Sequence, residues 1–146
     1  MKVHSSQSLA WLTAVVCFGA LLVSTALATQ VPILAGPWGT YQKGYGQTKP
    51  TTIFNGGDPT GLVQHIQWKT WSGTQAIGAG TAEWVGPHQD VAEGAQQPAR
   101  IVLFQLGSCR GRRAYDAIEW YFPQHGQHFD PHQYINACTG TYYPTG

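Results

Sequence analysis

The alternation of apolar and polar positions predicts short β-strands in the middle of the chain. Residues 51–54 are β-branched or aromatic, and the segment 62–71 alternates partly, as a strand with one wet face does. A second strand is expected over 75–85, where small residues share one face and let a neighbour pack closely. These small residues are Ala76, Gly78, Gly80 and Ala82.

A longer hairpin is predicted further along the chain. Residues 101–104 form an unbroken apolar run typical of a strand buried on both faces, and residues 113–122 run back after a turn at 108–111. The polar stretch 86–97 is expected to be a long loop. These segments predict a mainly β fold, a small antiparallel sandwich or barrel of about five strands.

Capping residues predict one short C-terminal helix, from about Pro131 to Ala137. Asp130 suits the N-cap, Pro131 the first helical position and Gln133 the third. Gly140 is placed to end this helix.

The first 28 residues have the layout of a secretory signal peptide. Lys2 precedes the uncharged apolar run 10–23, and an A-x-A pattern follows at Ala26 and Ala28. There is no twin-arginine pair, so the general secretory route is expected, with a secreted, extracellular or envelope location. The alternative is an uncleaved membrane anchor, although the run is shorter than the roughly 20 residues of a spanning helix.

The remaining residues divide into two parts. Residues 29–50, rich in Gly, Pro and aromatic residues, are expected to form an extended arm, and residues 51–146 a single β domain. The even pair Cys109 and Cys138 in an exported chain predicts a disulfide that ties the C-terminal segment to the hairpin tip.

Composition and charge exclude two classes of protein. Lys and Arg total 8 against 7 Asp and Glu, so the chain lacks the basic excess that nucleic-acid binding requires. Aromatic residues make up 12%, which is too much apolar surface for a disordered chain. A length of 146 residues suits one domain.

The second half resembles a family of small exported actinobacterial proteins described only as uncharacterised secreted proteins. The resemblance covers residues 58 to about 142, in the segments 58–63, 65–68, 71–73, 78–81, 119–123, 126–131, 134–136 and 138–140. It implies an exported, disulfide-bonded domain and supplies no activity.

Aromatic residues with amides nearby favour a non-enzymatic module that binds envelope glycan or another surface ligand, because ring faces stack on apolar sugar faces. Trp71 is the expected exposed platform, and Tyr115, Glu119 and Tyr121 are the other candidate ligand-binding residues. No catalytic signature such as Gly-x-Ser-x-Gly is present, and no cofactor is expected.

Glu119 permits two interpretations. Its position between aromatic residues can raise the pKa of the carboxyl and suit it to acid–base chemistry. The alternative is an exposed strand residue paired with Arg112 or Arg113.

Two further hypotheses come from other classes of function. His125, His128 and His132 have ligand-like spacing, which suits zinc in a metal-binding protein or metal-dependent enzyme. The Arg-rich hairpin tip at 110–113, or the aromatic arm, suits an inhibitor-like factor that contacts an extracellular protein. Membrane contact is expected only if the signal segment is uncleaved.

Overall fold

The computed structural model describes residues 30–144, so the predicted signal peptide lies outside the described residues. Within 30–144, no helix has both the length and the apolar character needed to cross a membrane. The described chain forms one sheet of eight strands. They are β1 (Ile33–Leu34), β2 (Ile53–Phe54), β3 (Leu62–Trp68), β4 (Ala76–Trp84), β5 (Ala95–Cys109), β6 (Arg112–Tyr121), β7 (Tyr134–Asn136) and β8 (Tyr142–Tyr143).

The mainly β, antiparallel character of the fold is confirmed. Strands β2 to β8 follow one another across the sheet in sequence order, each antiparallel to the next. The five predicted strands correspond to β2–β6, and the expectation of about five strands is too low because β1, β7 and β8 add to them. The predicted loop 86–97 is also shorter than expected, since β5 begins at Ala95, opposite Trp84.

The hairpin between β5 and β6 turns within two residues. Arg110 and Gly111 have φ values of 51° and 76°, and Cys109 pairs with Arg112 on either side of them. Two successive residues with positive φ give a turn whose twist matches that of the flanking strands. This turn therefore allows the long β5–β6 ladder to start at once.

The expected arm contributes to the sheet and the core. In its described part, β1 pairs in parallel with β6, with Leu34 opposite Tyr115. Ile33 and Leu34 are buried in the larger of two clusters of buried apolar side chains, called the main core below, which also includes Ile101, Leu103 and Ile118. Strand β7 pairs with the next part of β6, where Asn136 lies opposite Ala117, so β1 and β7 lie end to end along one edge.

The predicted C-terminal helix is wrong, although its capping chemistry is present. The Asp130 carboxylate accepts the His132 amide at 2.9 Å, and the Asp130 carbonyl accepts the Gln133 amide at 3.0 Å. These bonds close a single turn, and β7 follows it, with Ile135 opposite Ile118. A helix of two turns is marginal alone, whereas the strand gains a ladder with β6 and buries Ile135.

The pattern of inward and outward residues inverts within the β5–β6 ladder. Leu103 and Ile118 pair on the main core, and the next pair, Phe104 and Ala117, belongs to a second apolar cluster. Beyond Gln105, whose φ is 54°, Tyr115 lies in the main core again. Strict alternation would place Tyr115 with Ala117 on one face, so the two faces of β6 exchange between Ala117 and Tyr115, opposite Gln105 of β5.

The predicted disulfide is confirmed. Cys109, at the end of β5, is bonded to Cys138, which follows β7, and their Cα atoms are 5.8 Å apart. The bond joins the turn end of the hairpin to the C-terminal segment, as the two positions predicted.

The small-residue face of β4 permits close packing by β3. The register between the two strands shifts between Gln64 and Gln67, and His65 in this bulge has a φ of 55°. A Cβ atom added to Gly80 would lie 2.6 Å from the Gln64 carbonyl oxygen and 3.1 Å from Ile66. Packing thus accounts for glycine at this position.

We expect Gly80→Ala to lower the free energy of unfolding by about 1–3 kcal/mol, because the added methyl group forces β3 away from β4. Gly73→Ala is the matched control, since its nearest neighbour would be 3.6 Å away. Urea unfolding of both variants measures the difference. Equal stability of the two would contradict the packing argument.

Candidate functional site

An open cleft of about 680 Å³ lies where β6 ends beside β7 and β8. We call it the β6–β8 cleft. Its lining combines aromatic rings with carboxylates and amides, and none of the lining residues is Lys or Arg. The aromatic members are Trp84, Trp120, Tyr121, Phe122, Tyr134, Tyr142 and Tyr143, and the polar members include Glu83, Glu119, Asp130, Gln127, Gln133 and His128.

Strand pairing positions the tyrosines on one side of the cleft. Tyr134 of β7 lies opposite Tyr143 of β8, and their rings stack at 4.7 Å with an interplanar angle of 16°. The neighbouring Tyr142 is 67% exposed. Stacked rings held by a ladder form a rigid apolar wall with an accessible ring beside it.

Glu119 is a half-buried carboxylate in the lining of the cleft. It lies opposite Val102 of the second apolar cluster, and its two carboxylate oxygens accept the Asp130 amide at 3.0 and 3.3 Å. Burial raises the pKa of this carboxyl to about 7, with a smaller contribution from the charge of Asp130, although the Asp130 hydrogen bond opposes the shift.

The expectation of a pairing between Glu119 and Arg112 or Arg113 is not met. Six or seven residues separate them along β6, a distance of about 20 Å in a strand. The Arg112 and Arg113 guanidinium groups instead donate to the carbonyls of Gly46 and Gln30.

The segment from Phe122 to Gln127 contributes Phe122, Gly126 and Gln127 to the cleft lining. The His125 ring stacks on Trp84 at 4.0 Å and 5°, and its Nε2 lies 2.6 Å from Gln97 Oε1. The Phe122 amide donates to the Gln127 side chain at 2.9 Å. These contacts hold the segment against β4 and β5.

Of the four predicted ligand-binding residues, Glu119 and Tyr121 lie in the β6–β8 cleft, whereas Trp71 and Tyr115 do not. Tyr115 is fully buried, and its hydroxyl donates to the Gly73 carbonyl at 2.8 Å. Trp71 packs edge-on against Tyr115 at 5.5 Å and donates its indole N–H to the Pro32 carbonyl at 3.0 Å. The expectation that Trp71 is an exposed platform is therefore wrong, because the N-terminal segment packs on it.

The three histidines do not form a ligand set. Among residues 30–144, the one group of three side chains with ligand atoms within 4.8 Å of one another is Cys109, Asp116 and Cys138. His125 is held by Trp84 and Gln97, and His128 and His132 are exposed on the following turn. The spacing of His125, His128 and His132 suited a continuous helix that the chain does not form.

Sequence reasoning missed the tyrosines of β7 and β8. Tyr142 and Tyr143 are adjacent aromatic residues in a polar tail, a signal that was available. Their stacking with Tyr134 depends on the β7–β8 pairing, which the predicted helix excluded.

Comparison of the chain with models of known protein families, with curated proteins and with solved structures returned no match.

We expect the free energy of unfolding to fall as the pH rises from about 4.5 to about 7. In this range folded Glu119 retains a proton that the unfolded chain, with its ordinary pKa of 4.5, has released. Glu119→Gln is expected to remove that part of the pH dependence. Urea unfolding across this range, with NMR titration of the carboxyl carbon, measures it, and an unchanged slope in the variant would contradict the assignment.

Proposed function

We propose that this protein is an exported, non-enzymatic module that binds a neutral polysaccharide of a cell envelope in the β6–β8 cleft. The observation that carries the proposal is the composition of the cleft, in which accessible aromatic rings share the walls with carboxylates and side-chain amides. Sugars present both apolar faces and hydroxyl groups. The aromatic rings can stack on the apolar faces, and the carboxylates and amides can hydrogen-bond to the hydroxyl groups.

The charge of the cleft lining restricts the class of polysaccharide that fits the cleft. Glu83, Glu119 and Asp130 lie in the cleft, and the lining contains no Lys or Arg that would neutralise an anionic polymer. A neutral glycan therefore fits better than one with uronic acid or phosphate groups.

The export part of the proposal depends on other features. It is supported by the leader-like pattern of residues 1–28 and by the disulfide between Cys109 and Cys138.

We expect Tyr142→Ala to weaken polysaccharide binding by about tenfold, or about 1.4 kcal/mol, because it removes the most accessible ring of the cleft. Tyr41→Ala is the matched control, since Tyr41 is 81% exposed and does not line the cleft. Affinity electrophoresis of the oxidised protein against neutral and anionic envelope polysaccharides measures the effect.

Saturable binding to a neutral polymer that only Tyr142→Ala weakens would support the proposal. Equal loss in both tyrosine variants, preference for anionic polymers, or no binding to any polymer would overturn it. Near-UV circular dichroism establishes that each variant retains the fold.

A further inference from the structure

A second cluster of reactive side chains lies at the turn end of the β5–β6 hairpin, and the proposed glycan site does not use it. Cys109 ends β5, Asp116 lies within β6, and Cys138 follows β7. The Ala137 amide donates to the Asp116 carbonyl at 2.7 Å, which brings the chain before Cys138 alongside β6. One ligand atom from each of these three side chains lies within 4.8 Å of the other two.

One oxygen of the Asp116 carboxylate in this cluster is left without a hydrogen bond in the described part of the chain. Its Oδ1 atom is buried and has no hydrogen-bond partner among residues 30–144. An unpartnered buried carboxylate oxygen is costly, because the lost hydration is not replaced. Gly107 leaves room for this side chain, since an added Cβ there would lie 3.1 Å from Asp116 Oδ2.

We propose that reduction of the Cys109–Cys138 disulfide converts this cluster into a binding site for one zinc-like divalent cation. The two thiolates and the Asp116 carboxylate are its three protein ligands, and water takes the fourth position. Thiolate and carboxylate oxygen are ordinary zinc ligands, at about 2.3 Å and about 2.0–2.2 Å. Ligand atoms of a tetrahedral site therefore lie roughly 3.3–3.8 Å apart.

A dithiol can serve as the two-electron reductant of the Cys109–Cys138 disulfide. The dithiol supplies two electrons and two protons, the S–S bond breaks, and the dithiol itself becomes a disulfide. The Cys109 and Cys138 thiols then each release a proton as the cation binds. In the oxidised protein neither Cys109 nor Cys138 has a free thiolate, so the disulfide and the metal are mutually exclusive.

The arrangement of the chain suits this exchange. The Cα atoms of the two cysteines are 5.8 Å apart, which permits two thiolates to share one ion once the bond is broken. Cys109 is buried, whereas Cys138 is partly exposed, so the reductant and the cation approach from the Cys138 side. The site therefore exists before the disulfide forms, or whenever the protein meets a reductant.

The test is titration of the anaerobic, phosphine-reduced protein with Cd²⁺, a zinc substitute whose bonds to thiolate absorb in the ultraviolet. We expect one Cd²⁺ per reduced chain, displaceable by Zn²⁺, and none on the oxidised protein. Asp116→Asn, which preserves shape and removes the anionic ligand, is expected to weaken binding at least about tenfold. Asp58→Asn, at an exposed acid outside the cluster, is the control and should bind normally.

Several results would overturn the proposal. They are equal affinity of Asp116→Asn and the wild type, binding to the oxidised protein, or no binding after reduction. Far-ultraviolet circular dichroism follows the fold, and a reduced chain that stays unfolded with Cd²⁺ present would overturn it as well. The polysaccharide assay uses the oxidised protein, so the two sites are tested independently.

Discussion

The antiparallel pairing of β5 with β6 is the interaction on which the rest of the structure depends. Strand β4 pairs along one edge of this hairpin, and β1 and β7 share the other edge. The two-residue turn at Arg110 and Gly111 sets the register, and the disulfide at Cys109 fixes the C-terminal segment to the same end. Both candidate sites lie on this hairpin, one at each end.

Much of the fold follows from local pattern, and the remainder from pairing that no local pattern encodes. Alternation and turn residues predicted β2 to β6, because each pairs with a neighbour in sequence. Strand β1 escaped prediction, since its two residues lie among Gly and Pro and pair with β6 about eighty residues later. The 131–137 helix failed because Asp130 forms the same local bonds in a turn that leads into a strand.

The residues of the candidate site could be predicted from sequence only where side chains alternate regularly between the two faces of a strand. Glu119 and Tyr121 lie on the same side of the kink at Gln105 as Ala117, on the face that carries the second apolar cluster. Tyr115 has the same parity but lies on the other side of the kink, where the faces have exchanged. The positive φ of Gln105 leaves no trace in the alternation of apolar and polar residues, so the true position of Tyr115 could not be predicted from the sequence.

The position of β1 has a consequence for synthesis of the chain on the ribosome. Its partners are Ala114 and Tyr115. A chain that emerges from its N-terminus therefore exposes Ile33 and Leu34, which are both buried in the folded protein, until most of its length has been translated. During that interval the partner strand of β1 is absent, and closure of the sheet waits for the C-terminal third.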